Sequence, residues 1–191
     1  MTANTDLIDR LAASLPAEVA LRDETDADRD FMTQLYASTR AEELAVVSWP
    51  EAVKQRFLRS QCELQRDHYR KHYPSARFWV IERHNQPIGR LYLQQGASEL
   101  RIMDIALLPE QRGRGIGNVL MTGLLAHART LGTSVTLHVE PLNPAQRLYS
   151  RLGFRLLEDR GDLSLSGMAG GSVEHDLIAH PVGVRSKWHH E

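Results

Sequence analysis

Residues 107–118, Leu-Leu-Pro-Glu-Gln-Arg-Gly-Arg-Gly-Ile-Gly-Asn, constrain this chain more than any other stretch. An apolar, strand-like run (100–107) leads into them, and an amphipathic helical run (119–131) follows. Gly113, Gly115 and Gly117 remove side chains where a backbone turns tightly and lets a ligand approach its amides. The turn opens a helix whose first amides lack intrahelical partners and carry partial positive charge. Arg112 and Arg114 add full charge at the same place. Strand, loop and helix N-terminus in this order predict a cradle for a diphosphate. The plain alternative is a basic loop with capping glycines.

Exclusion narrows the ligand. A Walker loop requires Gly-x-x-x-x-Gly-Lys-Ser/Thr, and no such lysine follows. A dinucleotide fingerprint requires Gly-x-Gly-x-x-Gly and an acidic residue about 20 positions on. Here the spacing is Gly-x-Gly-x-Gly, and the later stretch 135–139 carries His138 instead. What fits is Arg112-x-x-Gly115-x-Gly117, which resembles the Arg/Gln-x-x-Gly-x-Gly/Ala motif of the GNAT superfamily of N-acetyltransferases. The run DIALLPEQRGRGIG resembles that family's fourth strand entering its third helix. The run VTLHVEPLNPAQRLYSRLGFR resembles its fifth strand, fourth helix and sixth strand. The resemblance spans 19–159 in order of elements, with its sharp motifs between 104 and 154.

The resemblance implies an α/β fold: a mixed, twisted central sheet flanked by helices, with acetyl-coenzyme A in the cleft between splayed fourth and fifth strands. It implies that the loop binds the pyrophosphate of acetyl-coenzyme A. The backbone amides of Gly113, Arg114, Gly115, Ile116, Gly117 and Asn118 would hold the diphosphate, with ionic contacts from Arg112 and Arg114. It further implies that main-chain groups at Ile105, Ala106 and Leu107 pair with the pantetheine arm like an added strand. Pro109 then ends the strand, because it offers no ladder donor. Asn143, before Pro144, reads as a helix cap, and the resemblance gives it a second job on the coenzyme A arm.

The chemistry implied is acetyl transfer from a thioester to an amine. Tyr149 lies on the sheet-facing side of a short helix, where a tyrosine is often only core. A phenol of pKa about 10 protonates a thiolate, whose conjugate acid is near 8.5, without much penalty. In the resemblance Tyr149 is the general acid. An alkyl amine is mostly protonated at neutral pH, so a carboxylate or a water relay must take a proton. Asp104 occupies the strand before the loop, where many relatives place an acidic residue, and ranks first as the base. Glu140 ranks second; it shares a face of the fifth strand with His138. Each of these also reads as a solvated strand-end charge, or for His138 a core histidine.

Along the chain, 1–16 reads as a short helical arm and 19–22 as a first strand. The acidic DETDADRD caps a helical stretch bearing Phe31, Leu35, Tyr36 and Thr39. Ser48-Trp49-Pro50-Glu51 has capping-box spacing, with Pro50 in the first turn of a long helix. Its apolar side would carry Val53, Phe57, Leu58 and Leu64. Strands at 78–82 and 88–93 are separated by a hairpin break at 85–87, and a second break at 96–98 precedes the fourth strand. This predicts a sheet that is antiparallel first and parallel at the fourth and fifth strands. The domain divisions expected are an arm (1–18), an N-acetyltransferase domain (19–165) and a Gly/Ser-rich tail (166–191). Leu163 and Leu165 hint at a poor last strand, and the tail departs from the family pattern, leaving the sixth strand's usual partner in doubt.

The acceptor region would come from 39–49 and 68–73, with Trp49, Tyr69 and Tyr73 lining it or packing. Glu42, Glu43 and Glu63 would favour a cationic acceptor. The 191 residues suit one domain, and a net charge of −1 gives no pull toward nucleic acid or anionic membrane. No apolar run approaches the ~20 residues that span a bilayer. The polar N-terminus lacks a secretion pattern, and the single cysteine, Cys62, fits a reducing, cytoplasmic setting. The nine histidines show no ligand spacing, so no metal is expected. A monomer or homodimer is expected. The competing function is a non-catalytic acyl-coenzyme A binding or sensing module. ATP binding lacks the lysine and metal-binding carboxylate it would need.

Overall fold

The computed structural model describes residues 3–139, 143–159 and 163–167. Seven strands form one sheet in the order β1-β2-β3-β4-β5-β7-β6. β1 (Val19–Asp23), β2 (Arg77–Arg83), β3 (Gln86–Gln95) and β4 (Glu99–Leu107) pair antiparallel in sequence order. β5 (Ser134–Val139) then pairs parallel with β4, and helix α5 (Ile116–Leu131) supplies the crossover that a parallel step requires. β6 (Arg155–Asp159) follows the short helix α6 (Gln146–Arg151). β7 (Leu163–Gly167) inserts between β5 and β6, antiparallel to both. The sixth strand therefore has its partner, and the last strand runs to Gly167, beyond the expected boundary at 165.

The β2–β3 hairpin turns on His84 and Asn85, both at positive φ (49° and 59°). A two-residue turn of that hand matches the twist of the flanking strands. The turn therefore sits one step earlier than the break expected at 85–87. Pro87 lies inside β3, at an irregularity of the β2 pairing where a missing amide is tolerated.

The sheet separates two cores. On one face α1 (Ala3–Ser14) and α5 cover Trp79, Ile81, Leu91, Leu93, Leu100, Ile102, Val135 and Leu137. α1 contributes Leu7 and Leu11, Leu15 follows at its end, and Gly123 of α5 lets the helix approach so closely that an added Cβ would lie 2.8 Å from Leu11 Cδ2. On the other face α2 (Arg29–Thr39) and α4 (Glu51–His72) enclose Met32, Leu35, Leu58, Cys62, Val80 and Leu108. A five-residue helix, α3 (Ala41–Ala45), links these two.

α4 differs from its sequence reading. Pro50 is the residue flanking its start and no side chain caps it, so Ser48 does not complete a capping box. Val53 and Leu64 are exposed, while the buried positions are Leu58, Cys62 and Arg66. The buried face follows helical spacing, but it ends on an arginine because the segment after β1 presents Glu24 and Asp26 to it.

Candidate active site

A defect in the sheet creates the site. β4 and β5 are paired from Glu99–Ser134 to Ile102–Leu137, after which both strands continue unpaired with each other. The register of β3 against β4 slips at the same place: Tyr92 opposes Asp104, but Leu93 opposes Ile102, leaving Met103 as the extra residue of a bulge. Because side chains alternate with period two, the bulge inverts the pattern. Leu100 and Ile102 before it, and Ile105 and Leu107 after it, all pack on the α5 face. Asp104 and Ala106 are thereby sent to the α4 side, where Ala106 packs. The signal was present in the sequence as the phase change between Ile102 and Ile105.

The splay leads into the glycine loop. β4 ends at Leu107, a single 3₁₀ turn covers Pro109–Gln111, and α5 begins at Ile116. Gly113 (φ 72°) and Gly115 (φ 83°) are left-handed, and neither would meet a neighbour within 4 Å if it carried a Cβ. The backbone is thus bare toward open space at the N-terminus of a 16-residue helix. Gly117 lies 3.7 Å, measured from a built Cβ, from Leu148 Cδ2, which sets α6 beside the loop. Arg112 and Arg114 are exposed and brace it: Arg112 Nε donates to Leu107 O (2.9 Å) and Arg114 Nε to Glu110 O (3.0 Å). Each guanidinium thereby keeps a fixed root while its outer nitrogens face solvent. Ile105, Ala106 and Leu107 are half-buried, their side chains packed and their backbone on the unpaired length of β4.

Asn143 does not cap α6 itself. Its Oδ1 accepts from Ala145 N at 2.9 Å, an Asx turn just ahead of the helix. This fixes the side chain and leaves its amide nitrogen without an acceptor among the described residues. Tyr149 is buried in α6. Gly153 (φ 83°) ends that helix, Phe154 N donates back to Tyr149 O (3.0 Å), and the two rings sit 5.7 Å apart. The Gly-Phe pair of the sequence is therefore what clamps Tyr149 in place. Burial, and secondarily the charge of Asp104, push the Tyr149 phenol up to about 12. It stays protonated throughout the neutral range.

Asp104 is the electrostatic centre of the α4 side. Its charge also raises Tyr69, after burial as the main cause, whereas Tyr92 is raised by burial and then by Glu24, with Asp104 adding least. Arg90 of β3 donates from Nη2 to Asp104 Oδ2 (2.6 Å) and to Gln65 Oε1 (2.9 Å). The Tyr69 hydroxyl donates to the bulge carbonyl, Met103 O, at 3.4 Å. Tyr69 also contacts the rings of Tyr92 (5.9 Å) and Tyr73 (6.3 Å) edge-on. Beside them Glu24 is fully enclosed: it accepts from Arg66 Nε (2.7 Å), Arg70 Nη2 (3.2 Å) and the Tyr92 hydroxyl. Arg90, Tyr92, Glu24 and Arg66 escaped the sequence reading, since charged residues are seldom buried; an arginine within the apolar run of β3 was the available signal.

The charge of Asp104 reaches both Tyr149 and Tyr69. His138 is exposed on β5, and Glu140 lies outside the described residues. Trp49 is 40% exposed and packs edge-on against Phe57 at 5.5 Å. Glu42 and Glu43 are exposed on α3, with Glu43 paired to Arg40 (2.8 Å). Glu63 lines a hollow of about 220 Å³ together with Arg29, Arg59 and Arg66, so its surroundings are of mixed charge. Among the described residues no His, Cys, Asp or Glu group of three or more is placed to hold a metal, and no helix is long and apolar enough to cross a membrane.

Comparison with solved structures gives the same architecture. The PaiA N-acetyltransferase of Thermoplasma acidophilum, in complex with coenzyme A, has a TM-score of 0.59 at 17% identity, covering 78% of this chain and 98% of its own. RimL, a ribosomal alpha-N-protein acetyltransferase solved without ligand, has a TM-score of 0.57 at 17% identity over 80% and 91%. The yncA protein of Salmonella typhimurium, solved with its cofactor acetyl-CoA, has a TM-score of 0.52 at 17% identity over 83% and 98%. No curated protein sequence matches the chain. The model of the Acetyltransferase (GNAT) family matches residues 38–154, more than half the chain, and takes in the splay, the glycine loop and α6. Acetyl-coenzyme A is the co-substrate of that family, and the bare, left-handed loop after β4 suits its diphosphate. With motif, fold and family model agreeing, the chain belongs to the GNAT family of acetyltransferases.

Proposed function

We propose that this protein transfers the acetyl group of acetyl-coenzyme A to a primary amine of a small molecule or protein, in the cytoplasm. The observation that carries the reading is the pairing of Tyr149, buried and protonated, with Asp104, whose charge reaches it, beside the glycine loop. When bound, acetyl-coenzyme A supplies the activated thioester. The amides of 113–118, with Arg112 and Arg114, hold its diphosphate. Ile105, Ala106 and Leu107 offer backbone to the extended arm, and the Asn143 amide steadies it. Asp104, or water that it orders, takes a proton from the acceptor ammonium, freeing the nitrogen lone pair. That nitrogen attacks the thioester carbonyl carbon. As the tetrahedral adduct collapses the carbon–sulfur bond breaks, Tyr149 gives its proton to the sulfur, and the surplus proton of the acylated nitrogen returns to the phenolate through water. Proton removal and proton return thus fall to two groups of the site, and the arrangement calls on no metal. Glu140 stands behind Asp104 as the proton acceptor.

The test is thiol release from acetyl-coenzyme A over a panel of small amines and peptide N-termini. Release that depends on one amine class is the expected result. Tight binding of acetyl-coenzyme A without release for any amine would favour the competing module that binds acyl-coenzyme A without turning it over.

A further inference from the structure

Arg90 is the one feature of the α4 side that packing does not explain. It is 4% exposed, on β3, two residues from Tyr92 on the same face. Its Nη2 is shared between Asp104 and Gln65, its Nε is buried without an acceptor among the described residues, and its guanidinium lies 5.1 Å from the Tyr92 ring centre. A buried ion pair repays its desolvation only with complete hydrogen bonding, and apolar residues of equal volume often serve stability as well. Here one nitrogen carries both contacts and another carries none. The geometry is that of a holder rather than a staple. Asp104 is correspondingly held by one oxygen, Oδ2, while Oδ1 meets no donor among the described residues. Its side chain is 17% exposed, on the bulged stretch of β4 that runs past the end of the β5 pairing.

We infer that Arg90 is a positioning residue for acetyl transfer: it fixes Asp104 by Oδ2 and sets a guanidinium charge beside it, so that Oδ1 meets the acceptor ammonium. The inference rests on the acetyl-transfer reading. The groups that act on Asp104 are Arg90 and Tyr92 from β3, Tyr69 from α4 and Tyr149 from α6, with Cys62 of α4 close to Arg90 and Arg101 of β4 close to Tyr69. The three phenols and the thiol are all held above their ordinary values, burial being the main cause, so they are neutral where the enzyme would work. Arg90 is the cation in contact with the carboxylate. Gln65 fixes the arginine in turn.

The experiment is the pH profile of kcat/KM for the fastest amine of the panel. In Arg90→Met the plateau should fall about tenfold or more, with the loss mainly in the amine term. The acid limb should move up by about one pH unit or more, as expected when a carboxylate loses a cation at hydrogen-bond distance. Arg90→Lys should return the limb toward its wild-type position while the plateau stays low. In an Asp104→Asn background, Arg90→Met should cost nothing further. The Kd for acetyl-coenzyme A should stay within about twofold throughout. A limb that does not move, or losses that simply add in the double variant, would overturn the inference. Should Arg90→Met fail to fold, Gln65→Met takes its place: it loosens the arginine without removing charge, and an unchanged plateau there would overturn it equally. Wild-type protein that releases no thiol removes the acetyl-transfer reading itself; wild-type turnover with an unmoved limb removes only the role of Arg90.

Discussion

Tyr149 keeps its proton because it is buried beside a carboxylate, the state required of a group that must give the proton away. Tyr149→Phe removes one oxygen, and with it the acidic proton, and leaves the contact with Phe154. Single-turnover measurements should show the chemical step slowed by about 10²–10⁴-fold, the usual worth of a positioned acid, while the Kd for acetyl-coenzyme A barely changes. A wild-type rate in that variant would make the residue a packing aromatic. The glycines act on binding instead. Gly115 is left-handed and bare, and a Cβ at Gly117 would meet only Leu148, in ordinary contact. Gly115→Glu or Gly117→Glu would bring bulk and negative charge to the diphosphate cradle. Calorimetric titration should show affinity for acetyl-coenzyme A lost while circular dichroism keeps its folded signature; unaltered affinity in both would remove the loop from the donor site.

Among the elements, α1 and α5 form a pair whose contact is set by a missing side chain. Gly123 sits where any Cβ would press on Leu11 at 2.8 Å and on Ser14 Oγ at 3.2 Å. Gly123→Val should lower stability by about 1–3 kcal/mol, the cost of overfilling a packed interface, read as a lowered midpoint in urea. Combining it with Leu11→Ala, which alone opens a cavity worth about 2–5 kcal/mol, should cost less than the sum. Additive losses would mean that α1 does not bear on α5 there. This contact was invisible in the sequence, where Gly123 reads only as a weak point in a helix. The helix itself was legible because its apolar period is regular and glycines mark both ends, Gly115 and Gly132 each being left-handed. α4 was legible as a helix and misread as a surface: its exposed Val53 and Leu64 look like core, and its buried Arg66 looks like solvent.

For the whole molecule, the charged groups beneath α2 and α4 tie stability to acidity. Arg22 grips Asp28 with both terminal nitrogens (2.8 and 2.7 Å), and Thr25 N donates to the same carboxylate (2.8 Å). The arginine, chiefly through these hydrogen bonds, holds the Asp28 carboxyl down at about 2. A depressed carboxyl stabilises the fold above its unfolded value near 4, and that share is lost as pH falls through about 2. Allowing for a partly exposed Arg22, the share is about 1–2 kcal/mol. Asp28→Asn should remove it at neutral pH and flatten the decline between pH 4 and 2, measured by urea unfolding across that range; an unchanged slope would show that other carboxylates carry the acid response. Arg22 and Thr25 are near Asp28 in the chain, whereas neighbouring Glu24 is gripped by Arg66 from the distant α4. Pattern therefore revealed the acidic run at 23–30 as a cap, yet not that Glu24 and Asp28 would anchor opposite sides of it. The donor loop was readable because all its parts are contiguous. The acceptor side was not, because Arg90 of β3, Asp104 of β4 and Gln65 of α4 come from segments apart in the chain.

The position of β7 has a consequence for how the protein comes into being. It is the last of the described strands along the chain, yet it fills the slot between β5 and β6. Translation is vectorial, at about 5–20 residues per second, so the ribosome delivers β5 and β6 before the strand that joins them. During that interval β6 has nothing to pair with, and β5 offers a naked edge of backbone donors and acceptors. Such an edge recruits strands from other chains as readily as from its own. A transcript cut short ahead of Leu163 would thus yield a sheet with a gap in it and a tendency to clump, rather than a smaller working enzyme. The half of the cleft built on β5 is completed only by the strand that arrives after it.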